Sequence, residues 1–222
     1  MLAKLRQINR LNTAVLLAAS FTLSVSLLAA RVFYARDFAY WFLVWNLFLA
    51  CIPLGISTLL LLRQDGKRPW IITASAFCVW LLFFPNAPYI MTDILHLHPR
   101  HPVPVWYDMM LLFSFAWNGL IIAIISLSDM QKLVSELCNK VVGWLFALAV
   151  LGLSGFGMYL GRFLRWNSWD ILANPGGLGF DIADRLLNPT SHPRTVGITI
   201  LFAAFLTMCY VTTRHVGRLH AD

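Results

Sequence analysis

The chain has 222 residues, of which 59% are hydrophobic and only 12% charged, with a mean hydropathy of +0.70. A soluble domain carries about 25% charged residues, so composition excludes a soluble domain and points to an integral membrane protein. The 17 Lys and Arg exceed the 10 Asp and Glu, giving a net charge of +7. These charges are scattered between apolar runs, which excludes a nucleic-acid-binding surface and makes them topology signals. No internal repeat and no polar interval long enough for a separate domain breaks the chain, so residues 1–222 read as a single integral membrane domain.

In chain order, Lys4, Arg6 and Arg10 precede a nearly uncharged run at residues 12–30. Its length favours a retained first helix over a cleaved signal peptide. A second span, 38–62, contains Asn46 and Pro53 and closes on Arg63, Asp65, Lys67 and Arg68. The third, 69–84, is short for a hydrocarbon layer of about 30 Å and is expected to break at Pro85 and Pro88. A fourth span at 105–127 holds Asp108 and Asn118 and leads to a polar connector with Asp129, Lys132, Glu136 and Lys140. The fifth, 141–163, is rich in glycine, which lets membrane helices approach closely. A long connector, 164–195, leads to a sixth span at 196–213. The expected fold is therefore an all-α polytopic bundle of about six spans.

Six spans put both termini on one side. The loops on that side hold ten Lys and Arg (Lys4, Arg6, Arg10, Arg63, Lys67, Arg68, Lys132, Lys140, Arg214 and Arg218), and the opposite loops hold seven (Arg31, Arg36, Arg100, Arg162, Arg165, Arg185 and Arg194). By the positive-inside rule both termini are cytoplasmic, in a plasma membrane. Cys51, Cys78 and Cys209 fall in apolar spans and Cys138 in a cytoplasmic connector, so neither a disulfide nor a cysteine metal site is expected.

Two polar stretches stand out. Phe84 to Asp108 contains five prolines, one Asn, two Asp, three His and one Arg between apolar segments. Asn86 sits between the two helix-breaking prolines, either satisfying freed backbone groups or facing a ligand. Asp93, His96, His98 and His101 follow. Asp93 and His96 share a face if this stretch is helical, and are the candidates for an acid and base pair. The spacing matches no zinc signature, and an interfacial loop with solvated histidines is the alternative, so no metal and no cofactor is assigned. Asp93 lies near the apolar run, where an unpaired carboxylate is costly.

The second stretch is GRFLRWNSWD, Gly161 to Asp170. Arg162 and Arg165, three apart, would put two guanidinium groups on one helical face. They would pair with Asp93, Asp108 or Asp170, grip a phosphate or carboxylate, or snorkel. Asn167 and Asp170 have the spacing of a helix cap. Trp106, Tyr107, Trp166 and Trp169 fit an interfacial belt, NPGGLG at residues 174–179 reads as a turn, and residues 180–187 read as a short amphipathic helix at the interface.

The motifs FPNAPYIMTDILHL, WYDMMLLFSFAWNG and SGFGMYLGRFLRWNSWD resemble those of a family of bacterial polytopic membrane proteins known as a domain of unknown function, from about Phe42 to Phe202. The resemblance implies a membrane architecture and no mechanism. The expected site is an outward-facing polar cluster of Asn86, Asp93, His96, Asp108, Arg162, Arg165, Asn167 and Asp170. Its partners would be the lipid bilayer and an anionic solute, lipid headgroup or lipid-linked phosphate, for binding or transport. A membrane-embedded transferase or hydrolase with Asp93 or His96 as base, and a structural or assembly subunit with an internal salt-bridge network, are the competing readings.

Overall fold

The computed structural model describes residues 10–62 and 70–219. Lys4, Arg6, Arg63, Lys67 and Arg68, on which the orientation count leans, lie outside the described residues, as does Asp65. Six helices are long and apolar enough to cross a membrane, and no β-strand occurs among the described residues. The long helices are α1 (Arg10–Ala35), α2 (Phe42–Leu62), α3 (Trp70–Phe83), α5 (Val105–Leu137), α6 (Lys140–Phe163) and α9 (Pro193–Leu219). Between α3 and α5 come a one-turn helix α4 (Asn86–Tyr89) and a 3-10 helix, Ile90–His96. Between α6 and α9 come α7 (Asp170–Ala173) and α8 (Pro175–Leu187).

The third span departs from expectation. The fourteen residues of α3 rise about 21 Å at 1.5 Å per residue, too little to cross about 30 Å of hydrocarbon. The chain does break at Pro85, but it does not leave the membrane as a loop. It re-enters helical structure as α4 and the 3-10 helix, packed against α2 and α5, so the span covers Trp70–His96. Burial explains why: Ala87, Pro88, Ile90, Thr92 and Asp93 are all buried.

α5 is the central helix, with 61% of its apolar window buried, the largest share of the six. Its buried positions, among them Asp108, Leu111, Leu112, Phe115, Asn118, Gly119, Ile122, Ser126 and Asp129, follow the three-four spacing of one helical stripe. Gly119 is required there, because a Cβ would stand 2.4 Å from the Ala87 carbonyl oxygen. The polar connector expected after residue 127 is instead the last turns of this helix. Only Cys138 and Asn139 separate α5 from α6, and the Asn139 side chain caps α6 by accepting from the Val142 N–H at 2.9 Å.

α1 runs antiparallel to α5, and three rungs of paired side chains join them, beside the bond from the Tyr107 hydroxyl to Leu27 O at 2.8 Å. Arg10 pairs with Asp129 at one end. Asn118 accepts from Ser20 at 2.6 Å and donates to Ser24 at 2.9 Å in the middle. Arg31 Nε donates to Asp108 at 2.8 Å at the other end. Arg10 and Arg31 are 21 residues apart, as are Asp108 and Asp129. That spacing is about 31 Å of helix, close to the thickness of the hydrocarbon layer. Arg31, expected in a loop, is thus part of the first span and 1% exposed.

α6 and α9 meet closely at Gly155, where a Cβ would stand 2.5 Å from the Thr199 carbonyl oxygen, whereas a Cβ at Gly152, one turn earlier, meets nothing within 4 Å. Alanine at these two sites should therefore act in opposite directions. Gly155→Ala is expected to lower stability in detergent by about 1–3 kcal/mol through overpacking. Gly152→Ala should raise it by up to about 1 kcal/mol through helix propensity. Thermal unfolding of the two variants checks this, and equal effects would contradict the packing.

Candidate functional site

The interruption of the third span frees backbone groups that must be satisfied without water. Pro85 has no N–H for the Leu81 carbonyl, and the turn into α4 leaves the Leu82 and Phe83 carbonyls without helical donors. Asn86 Nδ2 donates to Phe83 O at 2.9 Å, and Ser168 Oγ donates to Leu82 O at 3.2 Å. Asn86 Nδ2 also donates to Ser168 Oγ at 2.9 Å. The loop after α6 therefore completes the break in α3, and Asn86 fills the helix-stop role.

Below this seam lies a buried ion pair between Arg162, in the last turn of α6, and Asp93, in the 3-10 helix. Asp93 is 1% exposed. Its other carboxylate oxygen accepts from Asn46 Nδ2 at 2.8 Å. Arg162 Nε donates to Thr92 Oγ1 at 2.8 Å, and its guanidinium lies over the Tyr89 ring at 4.5 Å. His96 is close, with its ring nitrogens 3.3 and 3.4 Å from Arg162 Nη1. Its Nδ1 stands 4.0 Å from the carboxylate of Asp93, too far for a hydrogen bond. The Asp93 carboxylate is thus buried and bonded by donors from two helices.

The expected cluster of eight residues is divided. Asp93, His96 and Arg162 come together, with Asn46 bonded to Asp93 and Thr92 to Arg162. Asp108 does not join them, because Arg31 takes it as a buried bidentate pair. Arg31 also lies 4.6 Å from the centre of the Tyr40 ring, and the Tyr40 hydroxyl donates to His96 O at 3.3 Å, so the two ion pairs adjoin across Tyr40.

Arg162 and Arg165 do not share a helical face. α6 ends at Phe163, and Arg165 takes left-handed backbone (φ 63°) that turns the chain, letting the Trp166 N–H return to Leu160 O at 3.1 Å. Arg165 is left exposed. Asn167 and Asp170 form the reciprocal half of the cap arrangement, with the Asp170 carboxylate accepting from the Asn167 N–H at 2.6 Å. His98 and His101 are exposed, and among the described residues no three His, Cys, Asp or Glu side chains converge on a metal position.

A cleft of about 760 Å³ lies beside this frame, within the usual size of ligand pockets. α3 and α6 touch where Phe77 and Trp80 meet Phe146, and α6 comes close again just past the end of α3, where a Cβ on Gly157 would stand 3.1 Å from Pro85. The walls of the cleft are Cys78, Leu81 and Leu82 on α3 and Gly152, Leu153, Phe156 and Leu160 on α6, with Trp45, Asn46 and Leu49 from α2. Trp45, Cys78, Leu153 and Ile171 are exposed on the flank of the bundle. Its polar end is made by Asn86, Asn167 and Ser168.

α8 forms part of the cleft. The expected turn at 174–179 is the start of this helix, with Asn174 capping it by accepting from the Gly177 N–H at 3.1 Å and Pro175 at its first position, where the missing N–H costs nothing. Leu178, Ile182 and Leu186, four residues apart, line the cleft. Trp166 Nε1 ties α8 down by donating to Asp181 Oδ2 at 2.7 Å. At the far end Asp184 accepts from Asn188 and lies 2.8 Å from His192 Nε2, contacts that hold its carboxyl below the usual range.

These features define a polytopic helical membrane protein with an internally paired polar frame and a lateral cleft. The chain belongs to the family described as Protein of unknown function (DUF1361), whose profile matches residues 45–209. No curated protein and no solved structure matches it.

The frame makes two predictions. Arg31→Met should cost about 3–5 kcal/mol by leaving Asp108 buried and unpaired, and Arg31→Met with Asp108→Leu should recover most of that loss. A double-mutant cycle on unfolding in detergent measures it, and additive losses would contradict the pairing. For Asp184 the sign follows from its lowered value: the stabilisation it gives to the end of α8 is present above the unfolded carboxyl range and is lost as pH falls through the folded one. Limited proteolysis between Leu187 and Pro193 should accelerate on that acidification in the native chain and be fast at all pH in Asp184→Asn.

Proposed function

We propose that this protein binds a membrane lipid in the cleft between α3, α6 and α8, reached laterally from the leaflet at the face opposite the termini. The observation that carries this reading is the size and lining of the cleft: about 760 Å³, walled mostly by apolar side chains, with Asn86, Asn167 and Ser168 together where the loop after α6 meets the break in α3. That is the distribution of an amphiphile with its chains in hydrocarbon and its head near the interface. Trp45 and Trp169 at its edge have the amphipathic character of residues at headgroup level. The excess of ten Lys and Arg over seven on the terminal side supports cytoplasmic termini and an opening toward the outer leaflet.

The ion pairs have a different part in this reading. Asp93 with Arg162 and Asp108 with Arg31 fix the helices that form the wall, which accords with a structural network at these residues. Neither Asp93 nor Asp108 reaches the cleft, which weighs against a transferase or hydrolase that uses Asp93 as base.

Gly152 provides the test, since its position on the wall is open and a phenylalanine there fills the cleft without displacing a helix. Native mass spectrometry of protein gently released from its membrane should find bound lipid on the unmodified chain. Gly152→Phe, equally stable, should lose most of it. Equal lipid occupancy in both would overturn the reading.

A further inference from the structure

The polar end of the cleft holds no charge. No Lys, Arg, His, Asp or Glu lines it. The guanidinium of Arg162, which follows the lining residue Gly161, is committed to Asp93 and Thr92 and lies over Tyr89. The hydrogen-bonding inventory narrows the chemistry further. Asn46 donates to Asp93, Asn86 gives its amide protons to Phe83 O and Ser168 Oγ, and Ser168 gives its own to Leu82 O. Deeper in the wall, Ser154 donates to Val150 O at 2.7 Å. Each of these groups has donated into the protein, whereas the indole N–H groups of Trp45 and Trp169 and the Tyr89 hydroxyl, on the same lining, remain as donors. The amide oxygens of Asn46 and Asn86 carry no hydrogen bond from the described residues, and the Thr199 hydroxyl, also on the wall, is buried without a partner.

An uncharged surface that offers both donors and acceptors, with no cation, suits a head that does both. A phosphodiester carries a negative charge, and placed here it would have no counter-ion, at the cost of its hydration. A hydroxyl donates to these amide oxygens and carries no charge. We infer that the lipid bound in the cleft has an uncharged, hydroxyl-bearing headgroup, of the glycosylglycerolipid or acylglycerol class, and that the polar end discriminates against anionic phospholipids. This rests on the cleft being a lipid site. It replaces the anionic ligand that two neighbouring arginines in the sequence suggested, because one of them is paired and the other, past the end of α6 on left-handed backbone, does not line the cleft.

The experiment is a binding competition on the full chain in a neutral detergent, read by native mass spectrometry with chain-matched monoglucosyl diacylglycerol, phosphatidylglycerol and phosphatidylethanolamine. The glucolipid is expected to bind at least about tenfold tighter than either phospholipid, the difference made by leaving one polar group unmatched. Gly152→Phe should abolish this binding. Asn167→Lys, which adds a cation at the exposed edge of the polar end, should shift the preference toward phosphatidylglycerol. Binding that is lost in Gly152→Phe but is equal for the three lipids, or stronger for a phospholipid, overturns the headgroup assignment while leaving the cleft as a lipid site. Absence of any binding sensitive to Gly152→Phe overturns both.

Discussion

Hydrocarbon gives no solvation to a charge, and the pair between Arg162 and Asp93 is where this chain meets that constraint with the most consequence. A carboxylate buried in a membrane protein must find a cation from within the fold, and here the cation arrives from the end of α6, sixty-nine residues away in sequence. The bond fastens α6 to the second half of the broken third span. Asn46 adds α2 to the same carboxylate, and Thr92 and Tyr89 hold the guanidinium in place. Three elements of the far half of the bundle thereby share one fixed point.

The cleft follows from that fixed point. α3 is too short to cross the membrane, so its continuation turns inward at Pro85 to pack on α2 and α5. α6 follows the continuation through Arg162. The cleft lies between α6 and α3, beyond the aromatic contact of Phe77 and Trp80 with Phe146, and α8 lines it as well. A proline-induced change of direction and one ion pair thus produce both the buried frame and the open space next to it. Asn86 and Ser168 belong to both, since they satisfy the carbonyls freed by the turn and also form the polar end of the cleft.

Much of the architecture was legible in the sequence. The apolar runs marked six spans, and the prolines marked the interruption of the third, because hydropathy and backbone chemistry are local properties. Which polar side chains meet was not legible, because that depends on distant partners. Arg31 follows the apolar run 12–30 and reads as a loop residue until Asp108 is known to face it. Asp129 reads as part of a connector until Arg10 and Ser57 are seen on it. Arg162 and Arg165 have helical spacing, but a non-glycine residue in left-handed backbone ends the helix between them, which no local signal announced. Asn174 and Pro175 do carry a readable helix-start signature, a capping side chain followed by proline at the first position, which the neighbouring glycines obscured.

The matched spacing of the three rungs between α1 and α5 has a mechanical consequence. If either helix slipped along the other by one turn, about 5.4 Å, Arg10, Asn118 and Arg31 would lose their partners together, and Asp108 and Asp129 would face hydrocarbon bare. Small creeping adjustments are therefore closed to this pair. When the surrounding bilayer thickens or thins, α1 and α5 have to lean as one rigid plank, since tilt is the remaining way to match a fixed length to a changed thickness. The chain carries, in effect, its own gauge of the membrane it was built for.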